Sequence, residues 1–440
     1  MSLAAPSLLH ETRKGVFPRA IDGKFRRLKW AVMAFCLVVY YVTPWLRWDR
    51  GAYAPDQAVL IDVAHWRFYM FAIEIWPQEF YFVAGLLIMA GIGLFLVTSA
   101  VGRAWCGYAC PQTVWTDLFQ HVDRWIDGDR NAQIRLNKAA WGWHKISRRA
   151  LKWSIYLVIS VSTGGAWIFY FADAPSLARA FVRGDAPSIA YSTVLVLTGI
   201  TFWFGGFMRE QVCIYMCPWP RIQSAMLDEK SLLVTYKDWR GEPRGKKPVE
   251  GQVLGAKIGD CVDCGLCEAV CPTGIDIRQG PQIGCITCAL CIDACDSVMA
   301  KTGRPRGLID YATLEDSEKE RSGQAPTSHL RLIWHPRTLV YFGIWAAIGL
   351  GLLFALGTRA HLGLAVSKDR NPPFMVMSAG EVRNAYGVRW KNMEGRPRRM
   401  ALTLDGVAGA VMWSEDMPRD KAARELIRII APDMTLPLRI

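Results

Sequence analysis

Five stretches of this chain run without a charge for about the length that crosses a bilayer, and they constrain its fold before anything else does. They cover residues 30–46, 80–100, 153–171, 189–207 and 339–356. A membrane-spanning helix needs roughly 17–25 consecutive apolar residues, because inside lipid its backbone groups must satisfy one another. Aromatic residues mark several of the ends, among them Trp45, Phe80, Tyr81, Trp153, Tyr170 and Phe171, as interfacial belts do. Buried helices of a large soluble protein rarely supply five such runs together. The expectation is a multi-domain membrane protein with a five-span helical region in the lipid bilayer.

Charge sets the expected orientation. The formal net charge is +13. In a soluble protein that excess would point to nucleic acid, but here the bases flank apolar runs, which fits topology control and anionic lipid, with no nucleic-acid partner. Arg13, Lys14, Arg19, Lys24, Arg26, Arg27 and Lys29 precede the first run. Arg103, Arg124, Arg130, Arg135, Lys138, Lys145, Arg148, Arg149 and Lys152 follow the second, and Arg209, Arg221, Lys230, Lys237, Arg240 and Arg244 follow the fourth. Between the first two runs the acids Asp49, Asp56, Asp62, Glu74 and Glu79 outnumber the bases. All of this places the N-terminus inside and the region after the fifth run outside. Residues 1–28 form a basic arm that meets the first run without a cleavage-like small-residue site, so no cleavable signal peptide is expected.

The cysteines carry the chemistry. Cys261, Cys264, Cys267 and Cys271, the last followed by Pro272, have the spacing C-x2-C-x2-C-x3-C-P, and Cys285, Cys288, Cys291 and Cys295 repeat it. An iron–sulfur cubane needs a thiolate for each iron, and three cysteines in one short loop reach three corners. In two-cluster ferredoxins the last cysteine of each run serves the other cluster. This assigns Cys261, Cys264, Cys267 and Cys295 to one 4Fe-4S cluster, and Cys285, Cys288, Cys291 and Cys271 to a second. Gly265, Gly284 and Ala289 leave room for N–H groups to point at sulfur. Zinc would instead take cysteines in two pairs, and a secreted disulfide framework would not repeat this spacing. One departure is Asp296, where Pro would follow the last cysteine.

A second cysteine pattern is an internal repeat. Cys106-Gly107-Tyr108-Ala109-Cys110-Pro111 follows the second run, and Cys213-Ile214-Tyr215-Met216-Cys217-Pro218 follows the fourth. Two hairpins, each ending in C-x-Y-x-C-P, read as a duplicated unit. Paired across the repeat, Cys106, Cys110, Cys213 and Cys217 would bring four soft thiolates together at one membrane face. Soft thiolates select Cu(I) or iron–sulfur, so a copper site, a further cluster and a dithiol pair all remain open. Cys36 reads as inert packing, His121 as an interfacial side chain within reach of a ligand role, and Met375 and Met377 as core residues of a strand. None of the seven His lies well inside a span, which disfavours a membrane haem.

These residues carry a family likeness. Gly102-Arg103-Ala104-Trp105-Cys106-Gly107-Tyr108-Ala109-Cys110-Pro111-Gln112-Thr113-Val114-Trp115-Thr116-Asp117 resembles the signature of the CcoG/FixG/RdxA cytochrome c oxidase accessory proteins. So do Arg209-Glu210-Gln211-Val212-Cys213, Cys217-Pro218-Trp219-Pro220-Arg221, Tyr236-Lys237-Asp238-Trp239-Arg240-Gly241-Glu242-Pro243-Arg244-Gly245, the ferredoxin runs, residues 303–311 and Lys368-Asp369-Arg370-Asn371-Pro372. The likeness implies a bacterial inner-membrane polyferredoxin that acts in assembly of the cbb-type cytochrome c oxidase. Its implied activity is that of a cupric reductase, reducing Cu(II) to Cu(I), with a copper-carrying protein and an oxidase assembly machinery as partners and a cytoplasmic electron donor. It also implies an immunoglobulin-like C-terminal β domain outside, here short and expected to lack its last strands.

The expected organisation is therefore a basic arm at 1–28, a four-span module at 29–236, a basic linker at 237–257 and an inserted α+β dicluster ferredoxin domain at 258–313. A linker at 314–336, a fifth span at 337–358 and the periplasmic domain at 359–440 complete it. Two other functions share the core module: an electron conduit from quinol similar to the NapH and NosR groups, and a copper or redox scaffold without turnover.

Overall fold

The computed structural model describes residues 15–245, 258–327, 335–378 and 380–440. Parts of the expected arm (1–14, with Arg13 and Lys14), of the basic linker (246–257) and of the second linker (328–334) lie outside the described residues. The chain divides into two compact units, Met1–Pro44 with Gln78–Gly349, and Trp45–Pro77 with Leu350–Ile440.

In the first unit the apolar runs become helices, as their length and lack of charge require. Among the described residues four helices are long and apolar enough to cross a membrane: Lys24–Trp45, Pro77–Val101, Ser188–Met208 and Pro336–Thr358. This corrects the expected count of five. The third expected span lies in the helix Trp143–Ile168, where Ser160, Ser162, Thr163, Gly164 and Gly165 dilute the apolar sequence. The buried ones among them face the bundle. Thr163 Oγ1 lies 2.8 Å from the donating Trp115 Nε1 and 3.0 Å from the Tyr41 hydroxyl. A Cβ on Gly164 would stand 3.0 Å from the Val194 carbonyl, so glycine here lets the next helix approach closely. Leu157, Val158 and Val161 are turned outward.

Between the spans, the amphipathic helix Pro111–Asp127 starts with a proline whose missing N–H costs nothing at a helix start. It buries Val114, Phe119 and Val122, with Phe119 against Tyr156, and carries a row of buried carboxylates. Asp117 accepts from Arg26 at 2.8 Å, with Lys29 at 3.7 Å. Asp123 pairs with Arg209 at 2.7 Å and Lys152 at 3.4 Å. The row thus ties the first helix, the Trp143–Ile168 helix and the second repeat to one element.

The ferredoxin segment reaches further back than its expected start at 258. Strand Leu233–Tyr236 pairs antiparallel with Ile309–Ala312, and Asp238–Gly241 is a helical turn rather than linker. Arg240 holds that turn down, donating to Asp260, to the Arg306 carbonyl and to the Pro305 carbonyl. Val234, Tyr236, Ile277, Ile292, Met299, Leu308 and Ile309 form the core beneath it.

The second unit is β. Residues 45–77, expected to be only a loop, contribute a three-stranded antiparallel sheet of Val59–Asp62, Arg67–Met70 and Ile73–Ile75. Arg50 binds the chain around that sheet, donating to the carbonyls of Phe71, Pro55, Gln57 and Ala58. In the C-terminal part, Tyr386–Asn392 lies between Leu362–Lys368 and Met434–Arg439, and Arg398–Thr403 pairs with Glu425–Ile430. Val388, Trp390 and Ile430 are the buried centre. Met375 is not core, contrary to expectation: its two-residue strand, Met375–Val376, is exposed and pairs with the equally short Val382–Arg383.

Candidate metal centres

Each ferredoxin run is shaped by two left-handed residues. Asp263 and Gly265 have φ of 51° and 64°, and Thr287 and Ala289 have φ of 51° and 59°. These positions match between the runs, and each precedes a helix, Leu266–Ala269 or Leu290–Thr302. Such turns curl the backbone around a centre, so successive thiols point inward and N–H groups face the same space. Gly265 adopts the conformation freely. Asp263, Thr287 and Ala289 hold it at a cost of about 1–3 kcal/mol each, as strained residues at binding sites do.

The thiols gather as the spacing implies. Cys261, Cys264, Cys267 and Cys295 line one cavity with Val262, Leu266 and Arg278. Cys271, Cys285, Cys288 and Cys291 line a second, with Cys267 at its edge and Ile277, Ile286 and Leu290 around it. The last cysteine of each run thus crosses to the other run's cavity. Burial pushes the Cys267 thiol up to about 11, and Cys285 and Cys295 each up to about 12. Such thiols stay protonated until a metal displaces the proton. Among the described residues no three His, Cys, Asp or Glu side chains converge closely enough for a single metal ion. Four thiols around each cavity, from two runs that share one spacing, suit a cubane, which takes one thiolate for each iron. These residues therefore fit two 4Fe-4S clusters. Cys264 of the first site is exposed, whereas none of the four thiols of the second site is.

The two C-x-Y-x-C-P motifs also meet. Cys106 lies in the short helix Ala104–Tyr108, Cys110 just before Pro111–Asp127, Cys213 in the π-turn Val212–Met216 and Cys217 at its end. Gln112 locks one repeat to the other by donating to the Phe204 and Arg209 carbonyls, at 3.1 and 3.2 Å. Burial pushes the Cys106 thiol up to about 11, with Arg103 opposing and Cys110 and Cys217 adding. It pushes Cys213 up to about 12, with Cys110, Cys106 and Cys217 adding, and Cys110 up with a contribution from Cys217. The four thiols therefore lie near one another. Cys106 donates to Gln223 Oε1 at 3.2 Å, and Gln223 is itself wholly buried.

This tetrad abuts the second ferredoxin site. Cys106 packs on the cluster of Val270, Ile286, Cys288, Leu290 and Ala294. The Tyr108 hydroxyl donates to the Cys288 carbonyl at 3.1 Å, and a Cβ on Gly107 would stand 2.6 Å from the Ile286 carbonyl. Cys213, Pro272, Thr273 and Ile286 line one further small cavity. His121 does not join: it is exposed, edge-on to Trp30. Cys36 stays within the Lys24–Val42 helix, apart from both groups. Sequence reasoning passed over Arg103, Gln112, Gln223 and Tyr108. Three of them flank or sit inside the repeated motif, and that position is the only signal they carry.

Comparison with known proteins now bears on these centres. Residues 208–314 match the family model of a 4Fe-4S dicluster domain, and 82–131 that of a 4Fe-4S binding domain. Residues 352–439 match the model of an IG-like fold at the C-terminus of FixG. Nitrogen fixation protein FixG of Rhizobium meliloti (strain 1021) is 56% identical over 455 residues, covering 98% of this chain and 87% of its own length. The chain belongs to the FixG/RdxA family. Protein RdxA of Cereibacter sphaeroides is 57% identical over 91% of the chain and 84% of its own length, and Protein RdxB of the same organism 52% over 94% and 86%. No solved structure matches. The chain is a FixG-family membrane protein with iron–sulfur clusters that transfers electrons. The 82–131 match contains only two cysteines, Cys106 and Cys110, so any four-thiol site there draws on Cys213 and Cys217.

Proposed function

We propose that this protein takes electrons from a cytoplasmic donor at the exposed Cys264 side and delivers them at the thiol tetrad to Cu(II), giving Cu(I) for assembly of a cbb-type cytochrome c oxidase. The observation that carries this reading is the direct packing of Cys106, Gly107 and Tyr108 on the loop of Cys285 and Cys288. When bound, a 4Fe-4S cluster supplies one electron at a time at low potential, which matches the single electron that Cu(II) requires. Cys261, Cys264, Cys267 and Cys295 would hold one cluster, and Cys271, Cys285, Cys288 and Cys291 the other. Cys106, Cys110, Cys213 and Cys217 receive the copper substrate. As soft ligands they bind Cu(I) better than Cu(II), which draws the reduction forward. The membrane helices position the tetrad, and the FixG-type β domain would stand on the opposite side, toward copper-carrying and oxidase partners.

The test is replacement of all four tetrad cysteines by Ala, followed by copper binding and reduction by the photoreduced protein. Loss of both with the ferredoxin clusters retained supports the reading, and retention of both overturns it. One observation favours a second reading. The match of 82–131 to a 4Fe-4S binding domain would make the tetrad a further cluster, with iron content above that of two cubanes.

A further inference from the structure

We propose that Arg103 is the counter-ion of the Cys285-side cluster and makes it the higher-potential cluster of the two, so that electrons come to rest beside the tetrad. This rests on the cluster assignment above but not on copper as the acceptor.

Arg103 is 3% exposed. Its Nε donates to Gln223 Oε1 at 3.3 Å and its Nη1 to the Ile283 carbonyl at 2.5 Å. Both partners are neutral, and among the described residues it enters no ion pair. A buried guanidinium with no anion beside it is costly, so buried charges in proteins are paired. Most other buried bases of the first unit obey that rule: Arg26 and Lys29 share Asp117, and Arg209 and Lys152 share Asp123, while Lys145 donates to the Asn137 and Ala139 carbonyls. Arg278, beside the Cys261-side cavity, is neutralised by Asp276 at 2.8 Å and Asp263 at 2.5 Å. Arg103, bonded to neutral groups, lies among thiols instead, its charge acting on Cys106 of the tetrad as well as on Cys285. It lines one cavity of about 240 Å³ together with Cys285, and its Gln223 partner also accepts from Cys106.

An iron–sulfur cluster with four thiolates is anionic, and reduction adds a further negative charge. Burial therefore lowers a cluster's potential, and a fixed positive charge in a dry site raises it. The two sites differ in this respect. The Cys261 side has a guanidinium cancelled by two carboxylates, and the Cys285 side has one that is not cancelled. Arg103 also has a fixed place. Gly102, at φ 62°, turns the chain so tightly past the Leu232 carbonyl that a Cβ would stand 2.1 Å from it. Arg103 is thus a positioning residue for electrons, acting through the cluster and not on the substrate.

The test is a spectroscopic redox titration of the full-length protein in detergent, with signals assigned from Cys261→Ala and Cys285→Ala variants. The expected result is that the Cys285-side cluster reduces first in the unaltered protein. Arg103→Gln should lower its potential alone, by about tenfold in the equilibrium constant, or about 59 mV for one electron. Arg103→Lys, which keeps the charge, should restore the order. Equal shifts in both clusters, no shift in either, or a Cys261-side cluster that reduces first in the unaltered protein would overturn the proposal. If Arg103→Gln does not load, the unaltered protein and Arg103→Lys still decide it through the order of reduction. Iron and sulfide short of two cubanes would mark failure of the cluster assignment instead.

Discussion

Gly107 shows how little room separates the tetrad from the ferredoxin loop. A Cβ there meets the Ile286 carbonyl at 2.6 Å and the Cys288 backbone at 3.1 Å. Gly107→Ala should force the two loops apart at a cost of about 1–3 kcal/mol and deplete the Cys285-side cluster, read as lost absorbance with the Cys261-side signal retained. Tyr108→Phe removes only the hydrogen bond to the Cys288 carbonyl, so thermal unfolding should register a milder loss of about 0.5–1.5 kcal/mol with both clusters present. The cysteine spacing alone grouped the thiols that line each cavity, including the crossing of Cys271 and Cys295 between runs. The left-handed turns at Asp263 and Thr287 were not legible, because neither residue type announces positive φ as Gly265 does. Arg103 was read only as a topology charge, since burial cannot be seen in a string of letters.

The helix Pro111–Asp127 holds the cysteine repeat against the membrane helices through charge. Asp117 is buried, which raises its carboxyl, but Lys29 and Arg26 outweigh this and hold it below the usual carboxylate range. Its contribution to stability is therefore complete above the unfolded value near 3.8 and fades as the pH falls through the folded one. Asp117→Asn leaves two buried bases without their anion and should cost roughly 3–5 kcal/mol, and it should flatten the acid limb of the unfolding profile. Apolar length found four of the helices directly. The Trp143–Ile168 helix was read as a fifth span from its uncharged length, and its Ser, Thr and Gly, several of which face other helices, leave it less apolar than the other four. Strand Leu233–Tyr236 was missed because its partner, Ile309–Ala312, lies beyond the whole cysteine segment. The sheet at 59–75 was missed for a different reason: between two strong apolar runs, short alternating segments read as a connecting loop.

In the first unit, the thiol groups form a series from the exposed Cys264 to the half-buried tetrad, with Cys267 of the first site also lining the cavity of the second. Cys271→Ser should therefore extinguish the cluster of the opposite run while leaving that of Cys261, Cys264 and Cys267, as followed by Mössbauer spectroscopy. The family likeness reached almost the whole chain from its motifs, yet copper is nowhere written in them: soft thiolates suit iron–sulfur equally well. The most direct measurement is anaerobic. The purified protein, reduced in detergent, is mixed with Cu(II) and a Cu(I)-specific chelator while cluster bleaching and Cu(I) formation are followed together. One Cu(I) formed for each cluster electron lost, at matched rates and abolished by Cys106→Ala or Cys213→Ala, is the result expected here. Clusters that reoxidise without yielding Cu(I), or Cu(I) formed equally well without the tetrad, would contradict it.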